Sequence, residues 1–261
     1  MAAGRRDTVS ATRYRSRLYR HYRSGLGLGG ASSEADSAKY ILRRLLPRHL
    51  PEERGAPILD LGCGSGVLVH LLRQAGYTNA IGVETSLEQV TAAKAAGIIG
   101  IEQGDLLEFL GRTASGSVAA VITWDVIEHL FKDETLDLAE QIARVLCPGG
   151  QWIIHVPNAD SPFFGRIRYG DWTHEQAFTD GSLGQLLHAA GFQDVSYEED
   201  LPVVHGVVSA FRRLLWHLFR STLRLYLAAE TGDPGRRLIL SQNLMAVARK
   251  ADPTQVQACL S

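Results

Sequence analysis

Three glycines at alternate positions, Gly62, Gly64 and Gly66, follow a short apolar run that contains Asp60. Glycine tolerates left-handed backbone and the close approach of a ligand, so a glycine turn between a strand and a helix presents backbone N–H groups to a bound molecule. A turn that cradles the pyrophosphate of a dinucleotide has the spacing Gly-x-Gly-x-x-Gly/Ala. Val67 occupies the third position here. The residue types therefore disfavour a dinucleotide and, with it, a nicotinamide oxidoreductase.

Two further acids follow the next two predicted strands. Glu84, with Thr85 directly after it, ends the second strand, where a carboxylate can accept hydrogen bonds from both hydroxyls of a ribose. Asp105, followed by Leu106, comes after the third strand, where it can accept a hydrogen bond from an adenine amino group. The glycine turn and the two acids together predict an adenosine-binding site without a pyrophosphate cradle.

Five short motifs, in order and at the spacing of strand–helix–strand units, resemble those of the class I S-adenosylmethionine-dependent methyltransferases. They are Leu59–Gly66, Gly82–Glu84, Gly104–Asp105, Trp124–Leu130 and Val145–Gly150. The resemblance implies a Rossmann-like α/β fold with a seven-stranded, mostly parallel sheet, an antiparallel last strand and helices on both faces. It also implies S-adenosylmethionine as the cofactor.

The resemblance further implies a role for the residues that match its motifs. The glycines pass the methionine and ribose parts of the cofactor, and Asp60 orders their loop. Glu84 holds the ribose and Asp105 the adenine amine, while Trp124 and Asp125 flank the methionine end. The full set of expected cofactor-binding residues is Asp60, Gly62, Cys63, Gly64, Gly66, Glu84, Thr85, Asp105, Leu106, Trp124 and Asp125.

Three histidines are candidates for the acid–base chemistry. Methyl transfer is an in-line displacement with a neutral leaving group, so the chain has mainly to align the acceptor and remove its proton. His129 is a candidate base, with a structural role at a helix N-terminus as the alternative. His174 is another, in a loop where Asp171 or Glu175 could orient it, whereas His155 on a buried strand is expected to be a core histidine. No metal is expected, because no helix-spaced ligand pair indicates one; a divalent metal held by the carboxylates beside His174 is the alternative.

Resemblance to particular branches of the family limits the classes of methyl acceptor that we expect. They are similar to those of small-molecule O-methyltransferases typified by the ubiquinone pathway, and more closely to those of methyltransferases that accompany glycan and natural-product biosynthesis. This implies a sugar or polyketide hydroxyl. Trp124–Ile127 lacks the Asp/Asn-Pro-Pro-aromatic motif of base N-methyltransferases, and Cys147-Pro148 reverses the Pro-Cys order of cytosine C5 enzymes, so nucleic acid is not expected. A small-molecule amine acceptor, and a non-catalytic partner subunit that binds the cofactor, are the alternatives.

The composition is that of an ordinary globular protein. The chain has 261 residues, 45% hydrophobic and 21% charged, with a net charge of −1 and so no basic excess for nucleic acid. Residues 1–30 carry seven arginines against one acid, Asp7, which predicts a solvated basic arm; contact with an anionic substrate or membrane surface is the alternative. Three scattered cysteines indicate neither a disulfide framework nor a zinc site, and no apolar run could span a bilayer. A cytoplasmic location is expected.

Alternating apolar runs and helical periods predict the elements that position these residues. Strands are expected at 58–61, 80–83, 98–102, 118–124, 151–156, 194–197 and 238–248. Helices are expected at 10–23, 34–46, 65–75, 87–96, 106–111, 134–146, 179–190 and 205–229. Such alternation is typical of a parallel sheet that is buried on both faces.

The same patterns divide the chain into regions. An N-terminal helical cap is expected at 1–50, the methyltransferase domain at 51–250 and a tail at 251–261. Within the domain, the aperiodic segment 157–178 is the expected substrate loop. The amphipathic helix 205–229 is expected to pack its apolar face on the sheet or on the mate in a homodimer. A grip by its arginine side on a lipid phosphate or a nucleotide-linked sugar is the less favoured alternative.

Overall fold

One seven-stranded sheet organises the protein. The structure is a computed structural model and describes residues 15, 17–20, 31–45, 48–201, 206–233, 235 and 238–252. The strand order is β3-β2-β1-β4-β5-β7-β6. The strands are β1 Ile58–Leu61, β2 Ala80–Glu84, β3 Ile101–Gln103, β4 Val118–Trp124, β5 Leu146–Pro157, β6 Asp194–Glu199 and β7 Asn243–Arg249. Strands β1 to β5 pair in parallel, and β7 is antiparallel to both β5 and β6. The predicted fold class is confirmed.

Helices cover both faces of this sheet. They are α1 Ala31–Leu45, α2 Val67–Gln74, α3 Leu87–Ala95, α4 Leu106–Arg112, α5 Lys132–Val145, α6 Phe164–Arg168, α7 Asp180–Ala189 and α8 Val207–Thr231, with a 3-10 turn at Ile127–His129. Among the residues that the structure describes, no helix is both long enough and apolar enough to cross a membrane.

The apolar side chains form one cluster on each face because side chains alternate along a strand. On β5, Trp152 and Ile154 join the cluster that contains Leu138 of α5, whereas Ile153 joins the opposite cluster with Leu72 of α2. All five are fully buried. This double burial fixes the register of the central strands, so that their carboxyl ends meet at one edge of the sheet.

Several element bounds differ from those predicted, each for a local reason. The third strand was expected from 98 but begins at Ile101, because Ile98 still closes α3 through its N–H and Gly100 is left-handed at φ +84°. The last strand begins at Asn243 instead of 238. The Asn158 side chain donates to the carbonyls of Ile239 and Ser241, which holds the preceding residues as an irregular segment.

The two ends of the chain are described only in part. Of the helix predicted at 10–23, residues 15 and 17–19 are helical, residue 20 is a turn, and the others lie outside the described residues. Helix α1 buries Ala38 and Leu45 against the cluster that contains α2. From residue 253 onward the predicted tail also lies outside the described residues.

Helix α8 departs from the prediction in how it faces. The expectation was that its apolar face would pack on the sheet. Instead Phe211, Leu218 and Leu225 are 58%, 59% and 72% exposed, and Ser209 is its buried residue. The expectation that this face packs on the sheet was wrong. The sequence pattern shows that the helix has an apolar face but does not show which way that face is turned.

Candidate active site

The glycine turn after β1 adopts a conformation that requires glycine. Gly62, Gly64 and Gly66 have φ of +75°, +56° and +74°, in the left-handed region. A Cβ atom on Gly62 would lie 2.6 Å from a methyl carbon of Val126, and one on Gly66 would lie 2.6 Å from the side chain of Ile101. A larger residue at Gly62 or Gly66 would therefore have a strained backbone and would clash with Val126 or Ile101.

Glu84 joins this turn to the loop after β2. Its Oε2 accepts from the Gly64 N–H at 2.9 Å, and its Oε1 accepts from the Ser86 N–H at 2.7 Å. Burial raises the pKa of Glu84, against the lowering effect of these N–H groups. Asp60 lies buried at the end of β1, and burial, with the charge of Glu84, raises its pKa to about 7. Two carboxyl groups thus lie beneath and beside the turn.

A cavity of about 660 Å³ opens at this edge of the sheet. Eight of the predicted cofactor-binding residues line it: Gly62, Gly64, Glu84, Thr85, Asp105, Leu106, Trp124 and Asp125. Asp105 caps α4, its Oδ1 accepting from the N–H groups of Leu107 and Glu108 at 2.9 and 3.1 Å. The volume is that of a small-molecule site, which spans roughly 300–1,000 Å³. Residues from four separate loops therefore meet around one ligand-sized space.

Asp60, Cys63 and Gly66 do not line the cavity. The Cys63 sulfur packs toward Gly82, where an added Cβ would lie 2.6 Å from it. Burial raises the pKa of the Cys63 thiol, so this group is neutral.

Sequence reasoning missed part of the cavity wall, including three residues near the N-terminus. These are Arg15, Tyr19 and Arg20. Arg15 donates to Glu134 of α5 at 2.7 Å and lies over the ring of Phe131, 4.2 Å from its centroid. The seven arginines of residues 1–30 were the sequence signal for this part of the wall, because an arginine can form an ion pair with an acidic side chain, as Arg15 does with Glu134.

Another wall of the cavity carries a cluster of Glu128, His129 and His174, which we call the neutral cluster after Glu128 and His129, whose pKa shifts favour their uncharged forms. His129 lines the cavity and is 7% exposed, while His174 packs its ring edge-on to His129 with centroids 4.7 Å apart. The Glu128 carbonyl accepts from the N–H of Glu175 at 2.7 Å, which ties the loop that carries His174 to this turn. His174 itself lies behind His129, outside the residues that line the cavity.

His129 is held as a neutral ring. Burial and the neighbouring His174 lower its pKa to about 4. Its Nδ1 lies 2.8 Å from the Thr173 hydroxyl, which lies 2.7 Å from Asp171 Oδ1. A carboxylate only accepts, so the hydroxyl donates to Asp171 and accepts the Nδ1 proton of His129. That tautomer leaves Nε2 of His129 with a lone pair. The predicted residue Asp171 therefore contacts His129 through Thr173, which sequence reasoning did not single out.

Glu128 is the most constrained member of the neutral cluster. It is fully buried, and neither carboxylate oxygen has a hydrogen-bond partner among the residues that the structure describes. Burial, together with the charge of Asp125, raises its pKa well above the usual range, which favours the neutral carboxyl over the carboxylate. Single ligand atoms of Glu128, His129 and His174 lie within 4.8 Å of one another, a spacing that could hold a divalent cation.

A second set, which we call the ionised cluster, consists of Asp125, His155 and Asp200. His155 is buried between two carboxylates, with Nδ1 2.6 Å from Asp125 and Nε2 3.4 Å from Asp200. Its ring stacks on Trp124 at 4.0 Å. Burial disfavours the charged ring, but the two carboxylates outweigh it and raise the pKa of His155 to about 9. His155 is thus a core histidine with both nitrogens engaged, and Asp125, at φ +55°, is held in its left-handed conformation beside it.

Comparison with known proteins matches a family and several relatives. The model described as a methyltransferase domain matches residues 34–197, more than half of the chain. The chain is 29% identical over 153 residues to a protein named as a probable S-adenosylmethionine-dependent methyltransferase from Mycolicibacterium smegmatis, covering 58% of this chain and 56% of that protein. It is 32% identical over 108 residues to a ubiquinone biosynthesis O-methyltransferase from a Caulobacter species, covering 40% of this chain and 42% of that protein. The chain thus spans about half the length of these relatives.

A solved structure shows the same fold. It is that of a SAM-dependent methyltransferase from Archaeoglobus fulgidus, with a TM-score of 0.61 and 21% identity. The alignment covers 83% of this chain and 94% of that one. At this identity the likeness supports the architecture alone.

Proposed function

Because the chain belongs to the methyltransferase domain family, we propose that it transfers the methyl group of S-adenosylmethionine to a hydroxyl of a small molecule or sugar. Membership of this family agrees with the methyltransferase class and the S-adenosylmethionine cofactor that were predicted from the sequence. The hydroxyl acceptor and the roles of individual residues are the proposal. One observation carries it: the glycine turn, Glu84, Asp105 and the neutral His129 all border one cavity.

The cavity walls suit the adenosyl part of the cofactor. Glu84 presents a half-buried carboxylate next to the turn, where it can accept from both ribose hydroxyls. The second oxygen of Asp105 can accept from the adenine amino group while Oδ1 caps α4. Gly62 and Gly64 offer backbone without side chains, so the ligand can approach closely.

His129 is the proposed general base. When bound, the cofactor supplies an electrophilic methyl on a sulfonium that leaves as a neutral thioether. The Nε2 lone pair of His129 takes the acceptor hydroxyl proton as the oxygen attacks. Thr173 holds the ring in the required tautomer and Asp171 holds the Thr173 hydroxyl, which orients the base. A neutral ring at pH 7 is what this step needs, since a protonated ring could not accept.

The choice of oxygen over nitrogen has two supports. One relative carries the name of an O-methyltransferase. In addition, a hydroxyl must lose its proton during transfer, and His129 is a buried neutral base at the cavity wall, whereas a neutral amine can attack before losing its proton.

Calorimetry and product analysis test the proposal. We expect S-adenosylmethionine to bind the protein and the Glu84→Ala variant to bind it about 100-fold more weakly, because two charge-assisted hydrogen bonds are lost. Glu140→Ala, which removes an exposed acid on α5, is the matched control and should bind normally. Carbon-13-labelled methyl transferred to a panel of alcohols, sugars and amines then identifies the accepting atom by NMR.

The outcomes separate the alternatives. Absence of cofactor binding would contradict the whole proposal. Binding with transfer only to nitrogen would replace the hydroxyl acceptor with an amine. Binding without turnover on any panel member would favour a non-catalytic partner subunit.

A further inference from the structure

Helix α8 turns its apolar face to solvent. Val207, Phe211, Leu214, Leu218 and Leu225 recur at helical spacing on one side and are between 55% and 88% exposed. A surface helix of a globular protein normally packs such a stripe on the core. A continuous exposed stripe of this kind marks an interaction surface.

The opposite side of α8, which faces the protein, mixes polar side chains with the half-buried apolar side chains of Trp216, Leu223 and Leu227. Ser209 is the buried residue of the helix, and Arg220 forms an ion pair with Glu199 of β6 at 3.0 Å, both side chains being largely covered. The inward polar contacts fix the rotation of the helix about its axis. The outward position of the apolar stripe is therefore set by the fold.

The charge on α8 has one sign over most of its length. Four arginines, at 212, 213, 220 and 224, lie along the helix, and its single acid, Glu230, is in the last turn. Arg212 and Arg213 are exposed at its N-terminal half. Two copies of the chain that met through this helix would bring like charges together, whereas an anionic surface would be attracted.

Size and aromatic content fit a helix that lies flat on a membrane. At 1.5 Å per residue its 25 residues extend about 37 Å. Phe219 and Tyr226, 65% and 62% exposed, add amphipathic or apolar rings of the kind that settle at a lipid interface. The helix is too polar to span a bilayer but has the apolar stripe and the cations of an interfacial helix.

We propose that α8 is a docking surface for an anionic phospholipid bilayer, lying in the plane of the interface with its apolar stripe in the acyl boundary and the exposed Arg212 and Arg213 on lipid phosphates. This inference is independent of the identity of the methyl acceptor. It does not involve the cavity residues, so its failure would leave the proposed reaction untouched.

Vesicle flotation tests the proposal directly. We expect the full chain to float with phosphatidylcholine vesicles that contain 30% phosphatidylglycerol, about tenfold more than with phosphatidylcholine alone. The variant with Leu214→Ser and Leu218→Ser should lose at least tenfold in partitioning, because the apolar stripe is broken. Ile99→Ser, which changes an aliphatic side chain 66% exposed on another part of the surface, should float like the unmodified protein.

The charge is tested separately. Arg212→Gln and Arg213→Gln should each lower binding to the anionic vesicles by about 5-fold and reduce the salt dependence. The side chains of Arg212, Arg213, Leu214 and Leu218 are all exposed. Their substitution should therefore leave the S-adenosylmethionine affinity and the thermal midpoint unchanged, and these two measurements serve as the check on folding.

Two results would overturn the proposal. One is failure of the unmodified chain to float with anionic vesicles. The other is a dimer in light scattering that the double serine variant dissociates, which would assign the stripe to a second copy of the chain.

Discussion

The neutral cluster and the ionised cluster each contain a buried histidine, yet the two rings have opposite pKa shifts. His129 has a hydroxyl and a second imidazole beside it, and its pKa is lowered to about 4. His155 is equally buried but lies between two carboxylates, and its pKa is raised to about 9. Burial disfavours the charged form at both sites, so the partners decide the charge.

The opposite pKa shifts suit the two histidines to different roles at one edge of the sheet. A neutral ring suits proton acceptance, which is the role proposed for His129. A charged ring with both nitrogens engaged suits a fixed link between elements, and His155 connects the end of β4 to the residues after β6. The following substitutions break this contrast one side at a time.

The largest expected effect follows from removing the base. His129→Ala should lower kcat by about 10²–10⁴-fold, because the acceptor proton no longer has a positioned acceptor. Cofactor affinity measured by calorimetry should change little. The matched control is His188→Ala, an exposed histidine on α7, which should keep full activity. A His129→Ala enzyme with near-normal kcat would assign this histidine a structural role.

Removing the ionised ring should act on stability and depend on pH. The folded pKa of His155 lies above its unfolded value of 6.5, so its contribution is complete below pH 6.5 and is lost as pH rises through about 9. His155→Gln should therefore lower the free energy of unfolding by about 3 kcal/mol at pH 6, measured by urea denaturation, and by much less at pH 10. An equal loss at both values would show that packing against Trp124 dominates.

The smallest effect is expected from Glu128→Gln. The raised pKa of the buried carboxyl means that its ionisation opposes folding, whereas an amide of the same shape carries no charge, so the variant should be more stable than the unmodified protein. The gain should grow with pH, because a carboxyl with a raised folded pKa costs more stability as pH rises. Chemical denaturation in the presence of a chelator measures it. A metal-dependent rise in the thermal midpoint of the unmodified protein that Glu128→Gln abolishes would show instead that the neutral cluster binds a cation.

Features encoded within one strand–loop–helix unit could be predicted from the sequence. The glycine turn, Glu84 and Asp105 each follow a strand directly, and parallel pairing brings strand ends together, so eight of the named residues meet at one cavity. Contacts between distant segments could not be predicted. Thr173 reaches His129 across 44 positions, and Asp200 reaches His155 across 45, and no local pattern encodes either meeting.

The rotation of α8 is a related case. Periodicity gave the helix and its apolar side correctly, but the partner of that side is determined by tertiary contacts such as the Arg220–Glu199 ion pair. The sequence led us to expect the stripe on the sheet or on the mate in a homodimer; the fold turns it away from the sheet, and the homodimer stays a prediction.

The two hydrogen bonds of Glu84 have a consequence for the entropy of ligand binding. They tie the glycine turn to the loop after β2 in the protein alone, through Gly64 and Ser86. The conformational entropy of ordering both loops is therefore lost during folding and not when a ligand arrives. Because this wall is preorganised, a ligand does not have to order these loops when it binds, and a larger share of the contact energy contributes to affinity.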